Sequence, residues 1–290
     1  MRHVSIGIVL VNYKTSNHTI ECIKSLRQIE FDDFQIIVVD NFSQDDSVER
    51  IKAADKDVIL IESKENLGFA GGNRLGIQCA LSHQCDYVLM LNNDTIVEKD
   101  FLREMVKHTQ KEKEKIAITT CKIMYYDDRK RICYAGGKLN DYKGDATTRG
   151  FCEYDEQQYN KKEYQTFASG CCMLIPRWVF ELGLFMNEGY FLYYEDVEYC
   201  KRLIEKKFKI LYVPSAVIYH KESVSTNKAS YNYSFYFARN RLTYISSQIK
   251  GIKKAVAYLY TTAWLVKKVL FKQLDYKGVL CGVKEYMNGK

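Results

Sequence analysis

Two adjacent carboxylates, Glu195 and Asp196, emerge from the aromatic run Tyr190-Phe191-Leu192-Tyr193-Tyr194. Acidic residues in a helix's first turn can simply complement its dipole. An apolar approach, however, can present a base in a partly desolvated cleft, where one carboxylate takes a proton from a hydroxyl and its neighbour orients the acceptor. Asn92-Asn93-Asp94 closes the apolar run Tyr87–Leu91. One carboxylate with carbonyl and water oxygens is a partial shell for Mg2+ or Mn2+, completed by phosphates and water; a turn would favour the same residues. His220 closes another apolar run, Ile210–Tyr219, and reads either as a structural histidine or as a neutral imidazole for that metal. Asp40 follows Gln35–Val39, with Asn41 and Ser43 behind it, placed to accept from a base N–H or a ribose hydroxyl, or to cap a turn. Asn66–Asn73 carries Gly68, Gly71 and Gly72 ahead of a helix, a composition that lets backbone N–H groups approach a phosphate, or an ordinary loop.

The elements that must hold these groups alternate. Ser5–Val11 reads as a buried parallel strand, followed by a helix to about Arg27 capped by Thr15 or Ser16. Gln35–Val39, Val58–Ile61 and Tyr87–Leu91 read as further strands, with helices through Val48–Ala53 and from the glycine-rich loop to about His83. Strand–helix alternation with short connections implies a mostly parallel central sheet with helices on both faces, in which ligands bind beyond the carboxyl ends of the strands. Asn12, Asp40 and Asp94 all fall at such ends. Residues 122–165, rich in Tyr, Lys, Asp and Gly, read as long loops and short strands flanking the cleft. Pattern returns at Ala168–Ile175, a helix near Pro176–Leu182, and a helix opening at Glu195-Asp196.

The chain has 290 residues, 47% of them hydrophobic, enough for one large α/β domain. Two prolines and no Gly/Ser-rich stretch argue against a flexible linker. Ten cysteines scattered from Cys22 to Cys281 without a CxxC pair read as reduced thiols of a cytosolic protein, Cys171-Cys172 packing as small hydrophobes. The apolar run Val4–Val11 is too short for a signal peptide. The net charge of +7 is that of residues 250–290, where nine Lys stand against Asp275 and Glu285, 9 − 2 = +7. The remaining body is neutral, which argues against nucleic-acid binding.

Taken together, Val9–Thr15 (VLVNYKT), Val38–Ser43 (VVDNFS), Asn66–Gly76 (NLGFAGGNRLG), Leu91–Thr95 (LNNDT), Ser169–Arg177 (SGCCMLIPR), Phe191–Arg202 (FLYYEDVEYCKR), Tyr212–His220 (YVPSAVIYH) and Phe237–Arg241 (FARNR) resemble the family 2 glycosyltransferases of the GT-A fold. Among these, the pattern is most similar to bacterial rhamnosyltransferase-type enzymes that build cell-surface polysaccharides. Order and approximate spacing agree over roughly residues 4–245. The resemblance implies a GT-A domain over 1–249, with a donor half at about 1–121 and an acceptor half at about 122–249. It implies an inverting transfer of a sugar, rhamnose favoured over galactose, glucose or another hexose, from a dTDP- or UDP-linked donor to a glycan or polyprenyl-linked acceptor. Asp94 is then the last residue of a DxD-type metal motif binding Mg2+ or Mn2+, and His220 completes the shell as in some relatives. Asn12, Asp40, Asn41, Asn66, Gly68, Gly72, Arg74 and Asn93 would bind the nucleotide. Asp196 would be the base and Glu195 would touch acceptor or donor sugar, with Ser169, Gly170, Arg239 and Arg241 on the acceptor or diphosphate side. Positions 92 and 93 depart from the motif in being Asn, which implies weaker metal binding that leans on the donor's phosphates.

Residues 250–290 read as a basic amphipathic helical tail. Ala255–Val266 is uncharged and bracketed by Lys253-Lys254 and Lys267-Lys268. It falls short of the roughly 20 apolar residues a bilayer requires. A helix lying in the interface of an anionic membrane suits it, as does a helix packed on the domain with its Lys face solvated. The first reading makes the protein cytoplasmic and peripheral at the inner face of the cell membrane; a homodimer stays open. Two rival classes remain. An oxidoreductase should carry GxGxxG after its first strand, where this chain has Asn12-Tyr13-Lys14-Thr15-Ser16. An inactive sugar-nucleotide-binding scaffold of the same fold would not need Asp94, Asp196 and His220 together.

Overall fold

The computed structural model describes residues 3–221 and 230–289. Strand and helix alternate as expected through β1 (Ile6–Asn12), α1 (Ser16–Leu26), β2 (Phe34–Asp40), α2 (Ser47–Ala54), β3 (Ile59–Glu62), α3 (Gly68–Ser82) and β4 (Tyr87–Leu91). Then come β5 (Thr95–Val97), α4 (Phe101–Gln110), β6 (Ile116–Tyr125), β7 (Ile132–Tyr134), β8 (Gly137–Asn140), β9 (Asp145–Thr148) and β10 (Glu163–Gln165). The chain continues with β11 (Cys172–Pro176), α5 (Arg177–Glu181), α6 (Glu195–Glu205), β12 (Lys209–His220), α7 (Tyr231–Gln248), α8 (Gly251–Leu270) and α9 (Tyr276–Asn288).

One sheet of ten strands runs β10-β12-β6-β11-β4-β1-β2-β3, with β5 added to β12 and β7 to β6. β3, β2, β1 and β4 are mutually parallel, as are β6 and β12, whereas β11 enters antiparallel between β4 and β6. Among the described residues the sheet is therefore mixed: β3, β2, β1, β4, β6 and β12 run one way, and β11, β10, β5 and β7 run against them. Gly7, Val9 and Val11 of β1 face α3, whose Gly72 and Gly76 leave room for them: a Cβ there would lie 2.8 Å and 2.3 Å from Val11 and Val9. By the two-residue alternation of a strand, Ile6, Ile8 and Leu10 point to the opposite face, and each is fully buried. Both faces of the sheet are covered.

Three local readings need correction. β6, ten residues long and buried through nine of them, went unread because Thr119, Thr120 and Lys122, all buried, interrupt its apolar residues. α7 went unread as a helix because its aromatic and polar residues circle it without a clear stripe. The Thr15 and Ser16 side chains make no capping bond to α1; the Thr15 hydroxyl instead accepts from Asn93 Nδ2 at 2.8 Å.

The C-terminal helices pack on α7. Arg241 is 1% exposed: its Nε donates to Thr261 Oγ1 of α8 (3.1 Å), its other nitrogens reach Lys143 O (2.7 Å) and Asp145 (3.3 Å), and its guanidinium lies over Trp264. α9 approaches α7 through Gly278 and Gly282, one turn apart, where a Cβ would stand 2.5 Å from Tyr231 O and 2.3 Å from Phe235 O. Overpacking of this kind typically costs about 1–3 kcal/mol. Gly282→Leu should lower stability to urea by that amount or more, while Gly289→Ala, whose Cβ meets only Glu285 O at 3.5 Å, should leave it within about 0.5 kcal/mol.

Candidate active site

At the ends of β1 and β2 the side chains bind one another. Asn12, fully buried, donates Nδ2 to Asp40 Oδ1 (2.7 Å) and Ser43 Oγ (3.1 Å) and accepts from Thr19 at its Oδ1 (2.8 Å). Asp40 also accepts from the Ser43 hydroxyl (2.5 Å) and the Ser43 backbone N–H (3.0 Å). Thr19 in turn accepts from Asn93 Nδ2 at 2.8 Å, linking this network to the end of β4. Asn12 thus holds Asp40 rather than meeting a ligand, and Ser43, already read as a polar group behind Asp40, is joined by Thr19, which the sequence reading passed over. Its signal was the spacing of small hydroxyl residues behind two strand ends.

The glycine-rich segment has a steric use within the fold. The helix already begins at Gly68, so Gly71 and Gly72 lie inside α3. The N–H groups at its start are occupied: Leu67 N donates to Asn41 Oδ1 (3.0 Å), Gly68 N to Asn66 Oδ1 (3.0 Å) and Phe69 N to Phe191 O (2.9 Å). Asn41 further donates to Asn66 Oδ1 and Gly68 O, both at 3.0 Å. Gly68 sits at φ +68°, and a Cβ on it would meet Phe191 O at 2.1 Å, so only glycine allows α3 to dock there.

Asp94 and His220, far apart in sequence, are brought together by the antiparallel pairing of β5 with β12, which sets His220 opposite Thr95. Lys221 N closes the ladder on Asp94 O (3.0 Å). His220 Nε2 lies 3.1 Å from Asp94 Oδ1, a buried oxygen without an aligned hydrogen bond. Burial opposes ionisation of both, but their attraction outweighs it: Asp94 is held below the usual carboxylate range and His220 rises to about 10. Among the described residues no cluster of three or more His, Cys, Asp or Glu could hold a metal. Asp94 Oδ1, the orphaned buried oxygen, and His220 Nε2, once a metal displaces its proton, nevertheless fit a divalent ion that takes the rest of its shell from phosphate and water.

The carboxylate pair sits on a strained turn. Tyr193 and Tyr194 both lie at positive φ, +67° and +73°, and α6 starts at the next residue. Asn240 of α7, fully buried, donates its Nδ2 to Leu192 O and Tyr193 O, both at 2.8 Å. Asp196 accepts from Gly170 N at Oδ2 (3.1 Å) and from Val197 N at Oδ1 (2.8 Å). One residue along, Cys171 O accepts from Asn92 N (2.9 Å), so the segment Ser169–Cys172 ties Asp196 to the Asn92–Asp94 turn. Burial lifts Asp196 to about 6, opposed by these N–H donors. Burial, and after it the Asp196 charge, pushes Glu195 up further, and its Oε2 has no partner.

Each of the remaining basic candidates has a partner, but only Arg241 is buried. Arg241 pins α8 and Asp145 and is inaccessible to an acceptor or diphosphate, correcting the reading that put it there. Arg74 pairs with Glu188 at 2.9 Å and lies over Phe185, and Arg239 donates to Gly189 O at 2.5 Å. In FARNR the residue that reaches the site is Asn240, between the two arginines that drew attention by charge.

Residues 5–183 match the family described as Glycosyl transferase family 2. Over 278 residues, 93% of this chain and 87% of the relative, the sequence is 27% identical to the low-salt glycan biosynthesis hexosyltransferase Agl10 of Haloferax volcanii. Over 220 residues, 74% and 69%, it is 24% identical to the dTDP-rhamnosyl transferase RfbF of Shigella flexneri. Among solved structures, GalNAc-T7 with UDP, GalNAc and Mn2+ superposes with a TM-score of 0.63 at 15% identity, over 93% of this chain and 57% of that one. A mannosyltransferase of Pyrobaculum calidifontis in complex with GDP-Man and Mn2+ gives 0.59 at 13%, over 100% and 77%. These likenesses show the GT-A fold.

The Glu195 environment generates a pH-dependent stability. A carboxyl whose folded pKa is raised above its unfolded value near 4.3 contributes fully below that value and loses its contribution as pH climbs toward the folded pKa. Glu195→Gln cannot ionise, so its melting temperature should match the wild type near pH 4 and exceed it by about 2 °C or more at pH 7.5. Thermal unfolding at the two pH values checks this.

Proposed function

The chain belongs to glycosyl transferase family 2, and from that premise we propose that this glycosyltransferase moves a hexosyl group, rhamnose favoured, from a dTDP- or UDP-sugar to a hydroxyl of a cell-surface polysaccharide or lipid-linked glycan precursor, with inversion. The observation that carries the reading is Asp196, a carboxylate held by two backbone N–H groups on a strained turn and tied through Ser169–Cys172 to Asp94. Both named enzymes that match by sequence transfer sugars, one of them rhamnosyl from dTDP, which supports the donor class. Galactose, glucose or another hexose is the alternative donor sugar, and a screen of dTDP-, UDP- and GDP-sugars for protection against unfolding separates them.

In this mechanism Asp196 accepts the proton of the acceptor hydroxyl as its oxygen attacks the anomeric carbon. The new C–O bond forms on one face while the bond to the diphosphate breaks on the other, and the diphosphate leaves with the electron pair. The N–H groups of Gly170 and Val197 keep the carboxylate ionised until then and fix its direction. Glu195, protonated beside it, adds no second negative charge where the diphosphate must sit. Asp94 and His220 would hold Mg2+ or Mn2+, whose chemistry is to neutralise the charge developing on the leaving diphosphate. Asp40, fixed by Asn12 and Ser43, faces the nucleotide at the end of β2. We place the enzyme at the inner face of the cell membrane, peripheral through residues 250–290; among the described residues no helix is long and apolar enough to cross a membrane. A homodimer is compatible with this arrangement.

Asp196→Asn keeps shape and removes basicity. Transfer should fall by about 10² or more, the usual scale for general-base catalysis, with donor affinity by calorimetry unchanged; near wild-type transfer would defeat the assignment. Because Asp196 must be ionised and its pKa lies at about 6, the wild-type kcat/KM should fall off below pH 6 and be flat above it. The metal reading predicts no transfer in EDTA, restoration by Mn2+ or Mg2+, and a folded but inactive Asp94→Ala. Full turnover in chelator would sink it.

A further inference from the structure

α8 has two faces of different fate. Ala257, Thr261 and Leu265 are buried against the domain, and Thr261 is bonded by Arg241. Opposite them runs a second apolar stripe: Ile252 (75% exposed), Val256, Leu259 (74%), Ala263, Val266 and Leu270 (75%), at steps of 4, 3, 4, 3 and 4 residues. Such spacing puts all six on one side of a helix about 30 Å long. Phe271 and Leu280, 68% and 64% exposed, add to the apolar surface near its C-terminal end. A monomeric protein rarely leaves so continuous a stripe to water.

We propose that this outer stripe of α8 is the surface that meets the membrane, lying in the headgroup boundary of an anionic leaflet while the inner face stays latched to the domain. The inference rests on the reading that residues 250–290 bind a membrane, and adds which face does so and that no helix detaches to do it. Charge selects the occupant. α8 contains Lys253, Lys254, Lys267 and Lys268 and no acidic residue. Paired antiparallel with a second copy along the stripe, Lys253 of one helix would border Lys267 of the other, so a homodimer through this face gathers like charges. On an anionic bilayer Lys253, which also reaches Asp141 at 3.5 Å, and Lys267 lie along one border of the apolar stripe, where their stems extend beside it and their ammonium groups reach the phosphates, whereas Lys254 and Lys268 lie on the domain side.

The latch makes the orientation specific. Arg241, buried between Asp145 and Trp264, fixes the helix's rotation, and the close Gly278–Gly282 contact holds α9 to α7. The catalytic domain therefore docks as a rigid body at one angle, set by the direction of Leu259 and Val266. An acceptor carried on a membrane lipid would meet the Asp196 side at that fixed height.

Cosedimentation tests this, using full-length protein with vesicles of phosphatidylcholine alone and of phosphatidylcholine with phosphatidylglycerol. Wild type should bind the anionic vesicles, less so in high salt. The double variant Leu259→Glu/Val266→Glu should lose tenfold or more of that binding, with unchanged melting temperature and unchanged donor affinity. Equal binding by wild type and variant would overturn the face assignment while sparing the membrane reading. No vesicle binding by wild type would overturn both. A concentration-dependent dimer that the double variant dissociates, without vesicle binding, would show a second copy to be the occupant and overturn the proposal.

Discussion

The turn at Tyr193 and Tyr194 is the constraint around which the rest of the site is built. Two consecutive bulky residues at positive φ cost about 1–3 kcal/mol each, and a short turn cannot supply that from within. The surroundings do. Asn240 satisfies two carbonyls of the turn, Phe69 N a third at Phe191, and Glu198 N the fourth at Tyr194. Tyr194 lies edge-on to Phe237, and Tyr193 to Tyr233. Each hydrogen bond contributes about 0.5–1.5 kcal/mol net, so four of them with two ring contacts are of the size needed. The consequence is that α3, α6 and α7, from three distant parts of the chain, must all be in place before Asp196 is. The left-handed turn lets the chain stop, reverse and start α6 with its acidic pair at the first turn.

On the opposite side, polar residues at strand ends form a chain of contacts: Ser43 and Asn12 on Asp40, Thr19 on Asn12, Asn93 on Thr19. Buried polar groups are stable only when satisfied, and here each satisfies the next. The network orients Asp40 without consuming all its acceptor capacity: Oδ1 takes both Asn12 and the Ser43 hydroxyl, while Oδ2, bonded only by Ser43 N, keeps a lone pair. It also couples the end of β1 to the end of β4. Asn at position 93 donates to two hydroxyls where an Asp could only accept. The departure from a doubly acidic metal motif therefore has a structural role: position 93 braces Thr15 and Thr19, leaving Asp94 as the carboxylate of the motif beside His220.

How much of this the sequence shows depends on whether a residue acts through periodicity, through position, or through a remote partner. The alternating strands and helices up to Leu91 are legible because apolar runs ending in polar residues have few other solutions. Asp94, Asp196 and His220 are legible because each closes or follows an apolar segment. Asn240 is not, because an asparagine inside a helix bonds carbonyls some fifty positions earlier, and nothing local marks it. Arg241 misleads for a related reason: a guanidinium beside an asparagine suggests phosphate, whereas its burial under Trp264 follows from how α8 folds back. The glycines of Asn66–Gly76 suggest a phosphate loop by composition, yet their use is steric. Gly72 and Gly76 let α3 close on Val11 and Val9, and Gly68 lets it touch Phe191 O.

That steric use changes where a diphosphate can be held. With Leu67, Gly68 and Phe69 N–H groups taken by Asn41, Asn66 and Phe191, the start of α3 offers no free donors to an anion from these positions. The negative charge of a donor must then be met by other means. Burial and the Asp196 charge raise the Glu195 pKa, which disfavours a second negative charge beside Asp196. Asp94 is offset by His220. On the proposed reading a divalent ion held by Asp94 and His220 would balance a diphosphate there, a service that the bonded N–H groups of Leu67, Gly68 and Phe69 do not offer.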